Sequence, residues 1–544
     1  MDPTTGANAA QTDGPEPDSR AHGAHAADRA EASGVPAAAA LLAGSVLLSR
    51  GIGFVREGLL AYQVGASGTA DAYYAAFQLP DLLNYFLAGG ALSTAFLPLY
   101  AKLRAGDEAG AERLLATVLG TLGLLAVCAT VALWLAADAL IALQFPDFDP
   151  AKQALTAQLT RIVLPAQIFF VVGGVLQASL LARGRFAAAA LAPLVYNGCI
   201  VLGGALLAPS LGVAGFSWGA LAGAVLGPFA IPWLDARRRV RIGVRVAPRD
   251  PDFVRYLVIA APLMFGLTLL TVDEWYDRWF GGLLGDGAIA SLVFARRLMS
   301  APVAVVGQAI GQAAMPALAN LWAAGRLAEL DRVLGLTLRA ALSLGILAGA
   351  ATVALAGPLV ELVYHRGAFN PEDAARVTWL LMIFSAAVPA WVAQQIAVRG
   401  FYARGQTWRP MLLGTGFALA AIPVYLAFGR RFGVDGLAAA GVVAMTANAL
   451  ATLLYARWLH GGPPLAPIAG SALRALAIAG VAGVAAHAAT GDRQGMVGAT
   501  ADLAIGGCVF LGVSGLGVAL LGDAALRNSV GGLVRRFRRR NAAG

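Results

Sequence analysis

The sequence predicts an all-α polytopic membrane protein of about fourteen transmembrane helices, in two six-helix lobes around a central cavity with two further C-terminal helices. Three observations predict it. Of 544 residues, 58% are hydrophobic and only 13% are charged, against about 45–50% and about 25% in a soluble domain. That is too little charge to coat a water-soluble surface. Apolar stretches of roughly 20 residues recur along the chain, each long enough to cross a hydrocarbon core of about 30 Å. Part of the second stretch also returns in the eighth. A soluble enzyme is excluded first.

Residues 1–35 hold six acids (Asp2, Asp13, Glu16, Asp18, Asp28, Glu31) against Arg20 and Arg29, with no apolar run. This composition reads as a disordered cytoplasmic tail. It lacks the basic start and apolar core of a signal peptide, so the first membrane helix directs insertion. Apolar segments then lie near 36–60, 70–99, 112–143, 157–182, 187–207, 213–234, 254–283, 286–318, 334–363, 377–400, 410–428, 434–456, 468–489 and 499–523. The first six (36–234) make the N-terminal lobe and the next six (254–456) the C-terminal lobe. The last two (468–523) stand outside both, and 524–544 is a basic tail.

An even number of crossings puts both termini on one side. The loop around 235–255 carries seven arginines (Arg237, Arg238, Arg239, Arg241, Arg245, Arg249, Arg255), and the tail adds Arg535, Arg536, Arg538, Arg539 and Arg540. The connections near 61–70, 207–213 and 284–288 have neither Lys nor Arg. The positive-inside rule therefore places both termini in the cytoplasm, although Arg430 and Arg431 fall in a loop assigned to the outside. The formal charge of +9 is orientation charge, so membrane lipids are expected as partners and nucleic acid is not.

The two lobes follow from an internal echo. "GGALSTAFLPLYAKLRAG" (89–106) resembles "GQAIGQAAMPALANLWAAG" (307–325), matching Gly89 with Gly307, Ala91 with Ala309 and Pro98 with Pro316 at one constant offset. A parallel repeat of six helices suits two lobes that rock around a central cavity; chance similarity between Ala/Gly-rich helices is the alternative. Chemistry has no address here. Cys128, Cys199 and Cys508 lie far apart in apolar segments, the five histidines are scattered, and no zinc-protease, nucleophile-elbow or nucleotide-binding pattern occurs. The chain is expected to need no cofactor beyond a coupling ion.

Charges inside the segments point to function, because Arg or Asp at the bilayer centre costs about 2.5–3.5 kcal/mol on insertion scales. Arg50 and Arg56 stand in "LLSRGIGFVREGLLAYQVG" with Glu57 beside the second, and Arg296 and Arg297 in "LVFARRLMSAP". Neighbouring helical residues differ by about 100°, so at most one of the latter two faces a central cavity. Such arginines can bind phosphate oxygens through the two-pronged guanidinium. Equally, they can snorkel to the interface or pair with Glu57. In "TVDEWYDRWFGG", Asp273 and Asp277 share a helical face, as do Glu274 and Arg278. Two carboxylates on one face can hold Na+ or share a proton. Asp273 lies about 27 Å beyond Arg255 along a helix, which also fits a solvated helix end among belt aromatics Trp275, Tyr276 and Trp279.

The stretch "SRGIGFVREGLLAYQVGASGTADAYYAAFQLPDLLNYFLAGGALSTAFLPLY" resembles the MurJ (MviN) family of lipid II flippases, within the multidrug/oligosaccharidyl-lipid/polysaccharide flippase superfamily. Supporting echoes are "ARGRF" with Asn197, "YDRWFGGLLGDGAIASLVFARRLM", "YHRGAFN" and "RGFYARGQTWRP", so that the resemblance spans about residues 40–525. It implies movement of lipid-linked peptidoglycan precursor from the inner to the outer leaflet of the bacterial plasma membrane, for cell wall synthesis. It implies that Arg50, Arg56 and Arg297 engage a diphosphate-sugar head group, that Asp71 is a further substrate-site residue, and that the last two helices add a groove for the polyprenyl tail. The sequence departs from the family where Asn84 and Tyr85 stand in place of the usual one or two basic residues, and where Gly89 and Ser300 stand in place of Glu. A flippase for another polyprenyl-diphosphate-linked saccharide, such as an exopolysaccharide or O-antigen intermediate, is the alternative. A cation-coupled drug antiporter of the same superfamily requires acids to dominate the cavity, which the first helix opposes.

Overall fold

A computed structural model describes residues 19–88, 95–265, 269–491, 493, 495–527 and 531. Gly89, Ala91, residues 1–18 of the N-terminal tail and Arg535, Arg536, Arg538, Arg539 and Arg540 of the C-terminal tail lie outside these. Among the described residues every regular element is a helix, and there is no strand. Among the described residues nine helices are long and apolar enough to cross a membrane, and the bent pair Pro371–Ser385 and Val388–Ala403 makes a tenth candidate. The described residues of the apolar segments fall mainly on helix, and the protein is a multi-pass membrane protein.

Local chemistry explains where these helices begin and break. Asp107 caps the helix Glu108–Leu135 by accepting from the Gly110 N–H at 2.8 Å. Asp149 caps Pro150–Val163, where proline at the first turn gives up no needed donor. Asn370 and Asp373 form a reciprocal capping box at Pro371–Ser385. The element Trp408–His460 spans 53 residues but is broken at Gly433 (φ 61°, ψ −138°), a conformation that glycine adopts without a Cβ clash. Its halves fold back on each other there, so that it supplies two segments, 410–428 and 434–456, and Arg430 and Arg431 sit exposed at the turn. Helical turns widen at Val225–Ala230 and Ala304–Gln308, around Pro228 and just after Pro302, because proline donates no backbone hydrogen bond and displaces the preceding turn.

The first helix differs from expectation. It starts at Ser19 and runs unbroken to Val64, well before residue 36, because 19–35 is dominated by alanine, the strongest helix former. The first helix leaves one end of the bundle, here the terminal end, and the last, Gly495–Leu521, returns to it; the opposite end is the distal end. Within the N-terminal lobe the first helix lies along Ala187–Leu206, joined by Ser45 Oγ to the Ala190 carbonyl, by Asn197 Nδ2 to Ser49 Oγ at 3.1 Å and by Gln63 Nε2 to the Gly204 carbonyl at 2.7 Å. Ala187–Leu206 packs in turn on Ala214–Ala224 through small residues. A Cβ on Gly203 would stand 2.5 Å from the Gly215 carbonyl and 2.6 Å from Gly219 Cα, the close backbone approach that membrane helices use.

The lobes meet chiefly at the distal end. There Leu60, Tyr73, Tyr74 and Phe216 of the first lobe share one core with Phe294, Tyr364, Phe384 and Tyr425 of the second. Towards the terminal end the first lobe keeps a core of its own, built on Phe96, Tyr100, Leu115 and Leu176. The seventh segment is divided between them. Phe253, Tyr256 and Met264 of Pro251–Phe265 belong to the first lobe's core, whereas Leu269, Val272 and Tyr276 of Leu269–Gly281 belong to the shared one. The C-terminal lobe therefore takes over within the seventh segment rather than at residue 254, because this helix is the crossover and its halves bury apolar faces against different lobes. Leu465–Ala489 and Gly495–Leu521 pack beside the ninth segment through Ile346, Leu347, Ile478 and Phe510.

Candidate functional site

The first and eighth segments face each other between the lobes, and their charged residues meet there. Glu57 is buried at 1% exposure. Arg56 Nη2 reaches its Oε1 at 2.6 Å from the same helix, and Arg297 Nε approaches the same oxygen at 3.4 Å from the other lobe. The Tyr74 hydroxyl donates to its second oxygen. Arg56 Nη1 also donates to Asn197 Oδ1 at 3.1 Å. Arg50, two turns nearer the terminal end, donates from Nη2 to Gln308 Oε1 across the lobes at 3.2 Å. Arg297 leaves 40% of its side chain exposed and Arg56 leaves 19%. Two cations thus converge on one carboxylate, and a third stands further along the same face. The three predicted arginines share the space between the lobes, and the pairing with Glu57 offered as an alternative holds for two of them.

Asn84 and Ser300, the neutral departures, are engaged locally: Asn84 Nδ2 donates to Gln167 Oε1 at 2.9 Å and Ser300 Oγ to the Arg297 carbonyl at 2.7 Å. Glu274 is exposed and does not take up Arg278. Arg278 Nη1 instead reaches Asp81 Oδ2 of the second segment at 2.6 Å, tying the lobes a second time.

Asp71 lies elsewhere. It is fully buried at the distal end, accepting from Lys152 Nζ at 2.9 Å and from the Gly287 and Ala290 N–H groups at 2.7 and 2.8 Å. Those amides are the open N-terminus of the helix Ala288–Val303, which favours an anion. Lys152 also reaches Asp286 at 2.8 Å. Asp71 clamps the two lobes and does not face the arginine trio; its carboxylate is used up by protein donors, so it is not placed as a substrate residue. Sequence reasoning could not see this, because the partners are supplied by separate helices. The one available signal was that Lys152 is one of only two lysines in the chain.

Asp273 and Asp277 form neither a solvated helix end nor an open ion site. Both are 1% exposed and both hold Arg296: its Nε meets Asp277 Oδ2 at 2.5 Å and its Nη1 meets Asp273 Oδ2. Tyr425 donates to Asp273 Oδ1, and the guanidinium lies 4.5 Å from the Phe384 ring centroid. Of the expected belt, Tyr276 is buried with its hydroxyl on the Ala418 carbonyl at 2.8 Å, Trp275 packs on Tyr85, and Trp279 is exposed. Among the described residues no group of three or more His, Cys, Asp or Glu is placed to hold a metal ion.

Two helical lobes with a polar, arginine-bearing face between them define a membrane transporter of the alternating-lobe class and not an enzyme. The chain belongs to the family described as "Lipid II flippase MurJ", whose sequence model matches residues 60–499. It is 32% identical over 434 residues to the probable lipid II flippase MurJ of Rhizobium meliloti (strain 1021), covering 78% of this chain and 80% of that one. Its fold is similar to a solved lipid II flippase MurJ in an inward closed conformation, with a TM-score of 0.75 at 20% identity over 88% of this chain and 99% of the other. It is also similar to an inward-facing multidrug resistance transporter of the MATE family, with a TM-score of 0.63 at 15% identity over 76% of this chain and 94% of that one.

Proposed function

We propose that this chain carries lipid II, the lipid-linked peptidoglycan precursor, from the inner to the outer leaflet of the bacterial plasma membrane by alternating access. The observation that carries the proposal is the trio Arg56, Glu57 and Arg297 between the lobes. Glu57 stands where the two guanidinium groups call for an anion. An entering diphosphate offers more oxygens to the same two guanidinium groups, which bind phosphate through paired N–H donors. Arg50 receives it first, nearer the terminal end. Asn84 and Ser300 favour one second reading, a different saccharide on the same polyprenyl diphosphate, since they are neutral where the family is usually charged.

The terminal end is cytoplasmic in this proposal, both termini lie there, and the chain crosses the membrane fourteen times. The shared distal core and the Asp71 clamp then close the outer side. The polyprenyl tail stays in lipid, along the groove beside the last two helices. The inside-negative potential assists outward movement by about 2.3 kcal/mol per charge per 100 mV.

The test is complementation of a bacterium depleted of its own lipid II flippase, scoring precursor exposed at the outer leaflet. Wild type is expected to rescue, and Arg50→Ala and Arg297→Ala to fail at matched expression. No rescue by well-expressed wild type would move the substrate to another polyprenyl-linked saccharide.

A further inference from the structure

The cluster of Asp273, Asp277, Arg296 and Tyr425 is buried in the second lobe and takes no part in the interlobe trio. It brings two carboxylates together with a single guanidinium, so it carries one formal negative charge in excess. Three of its four carboxylate oxygens are engaged: Asp273 Oδ1 by the Tyr425 hydroxyl, Asp273 Oδ2 by Arg296 Nη1 and Asp277 Oδ2 by Arg296 Nε. The fourth, Asp277 Oδ1, is buried with no hydrogen-bond partner, as is Arg296 Nη2. An unpartnered carboxylate oxygen in a net-negative apolar interior is costly to leave unmet.

We infer that Arg296 acts as a tethered cation filling this two-carboxylate site, so that the site excludes Na+ and takes a single proton, on Asp277 Oδ1. A metal ion needs several oxygen ligands, and one is free. It would also sit against a fixed guanidinium charge. Space is short as well, since a Cβ on Gly441 would already stand 2.9 Å from the Tyr425 hydroxyl and 3.3 Å from Asp273 Oδ1. A proton needs one oxygen and no room. It arrives from bulk water, bonds to Asp277 Oδ1, and takes the cluster from one negative charge to neutral.

The groups that face Asp277 are Asp273 and, by charge, Glu274 on the seventh segment, Arg296 on the eighth and Tyr425 on the eleventh; the tenth contributes the Phe384 ring and the twelfth Gly441. Asp277 is four residues from the helix end at Gly281, about 6 Å from the distal surface. Arg297, which reaches Glu57 of the other lobe, follows Arg296 directly on the same helix.

The test uses the purified full-length protein in lipid nanodiscs. Wild type is expected to show no saturable binding of radioactive sodium. Infrared difference spectra between acid and alkaline buffer should contain one protonated-carboxyl band that is lost in Asp277→Asn. Folded Arg296→Gln, freed of the tether, should acquire saturable sodium binding. Saturable sodium binding by wild type overturns the inference, as does a carboxyl band unchanged in Asp277→Asn, or a folded Arg296→Gln that takes no sodium. The wild-type measurements stand even if Arg296→Gln does not fold, and none of them depends on which lipid is transported.

Discussion

Arg296 and Arg297 are neighbours on one helix and have opposite fates. Arg296 is 6% exposed, held by two carboxylates and capped by an aromatic ring. Arg297 is open over 40% of its side chain and touches one carboxylate at 3.4 Å. The rotation of about 100° between them sends one into the second lobe and the other into the space between lobes. A guanidinium held by two buried carboxylates holds the fold, and one that meets a single carboxylate at longer range is free to take a ligand. The largest effect follows directly. Arg296→Leu should lose about 3–5 kcal/mol, because it leaves two carboxylates buried without their cation, whereas Arg297→Ala should cost less than about 1 kcal/mol and still abolish flipping. Thermal unfolding in detergent, beside the transport assay, checks both. Equal melting temperatures for the two variants would break the contrast.

Asp71 extends the matched class to a contact between lobes. Its Lys152 and amide partners belong to different lobes, so weakening it should change conformation as well as stability. Asp71→Ala removes charge-assisted hydrogen bonds worth about 1.5–3 kcal/mol. Each 1.4 kcal/mol lost from the closed state multiplies the open population about tenfold. A cysteine at Ala66, buried under this clamp, in a background without Cys128, Cys199 and Cys508, should then react at least about tenfold faster with an impermeant maleimide. An unchanged rate would show that the distal core alone keeps the lobes together.

The sequence made the helices legible and the pairings only partly so. The described residues of the apolar segments fall mainly on helix, because apolar length is a property of consecutive residues. The trio's arginines were legible for the same reason, as charges within such stretches. Arg56 and Glu57 are adjacent and their pairing was legible, but most of the other partners stand 19 to 258 positions away, and no local pattern carries that. Asp273 and Asp277 illustrate the limit. Spacing of four puts them on one face whether they await an ion or already hold Arg296. Asp71 was named only through the family resemblance, which does not carry the Lys152 and helix N-terminus contacts that hold it here.

The open trio can be sharpened by removing the stand-in. Glu57→Gln keeps the shape and the Tyr74 contact but frees Arg56 and Arg297 of their anion. If Glu57 competes with the diphosphate, the variant should bind lipid II about tenfold tighter, equivalent to about 1.4 kcal/mol, and turn over more slowly because release is impeded. Quantitative binding in nanodiscs, paired with flipping rates, separates the two. Weaker binding would mean that Glu57 positions the arginines and does not stand in for the ligand.

A third arginine tests the matched class at the water boundary, where the effect is smallest. Arg339 Nη2 reaches Asp523 Oδ2 at 2.7 Å beside Ser471, and the Leu526 N–H donates to Oδ1 at 2.8 Å. Burial alone would raise the Asp523 carboxyl, but the hydrogen bonds from Ser471, Leu526 and Arg339, with the Arg339 charge, outweigh it and hold the group below the usual carboxylate range. A carboxyl lowered on folding stabilises above its unfolded value of about 3.9 and loses that contribution as pH falls through the folded value. Asp523→Asn should therefore cost about 1 kcal/mol at neutral pH and progressively less in acid. Hydrogen exchange at the Leu526 amide reads it locally. Wild-type protection should exceed that of the variant at neutral pH and converge on it as pH drops below about 4. A gap that persists in acid would mean that the carboxylate charge contributes nothing, and that Arg339 is matched by shape alone.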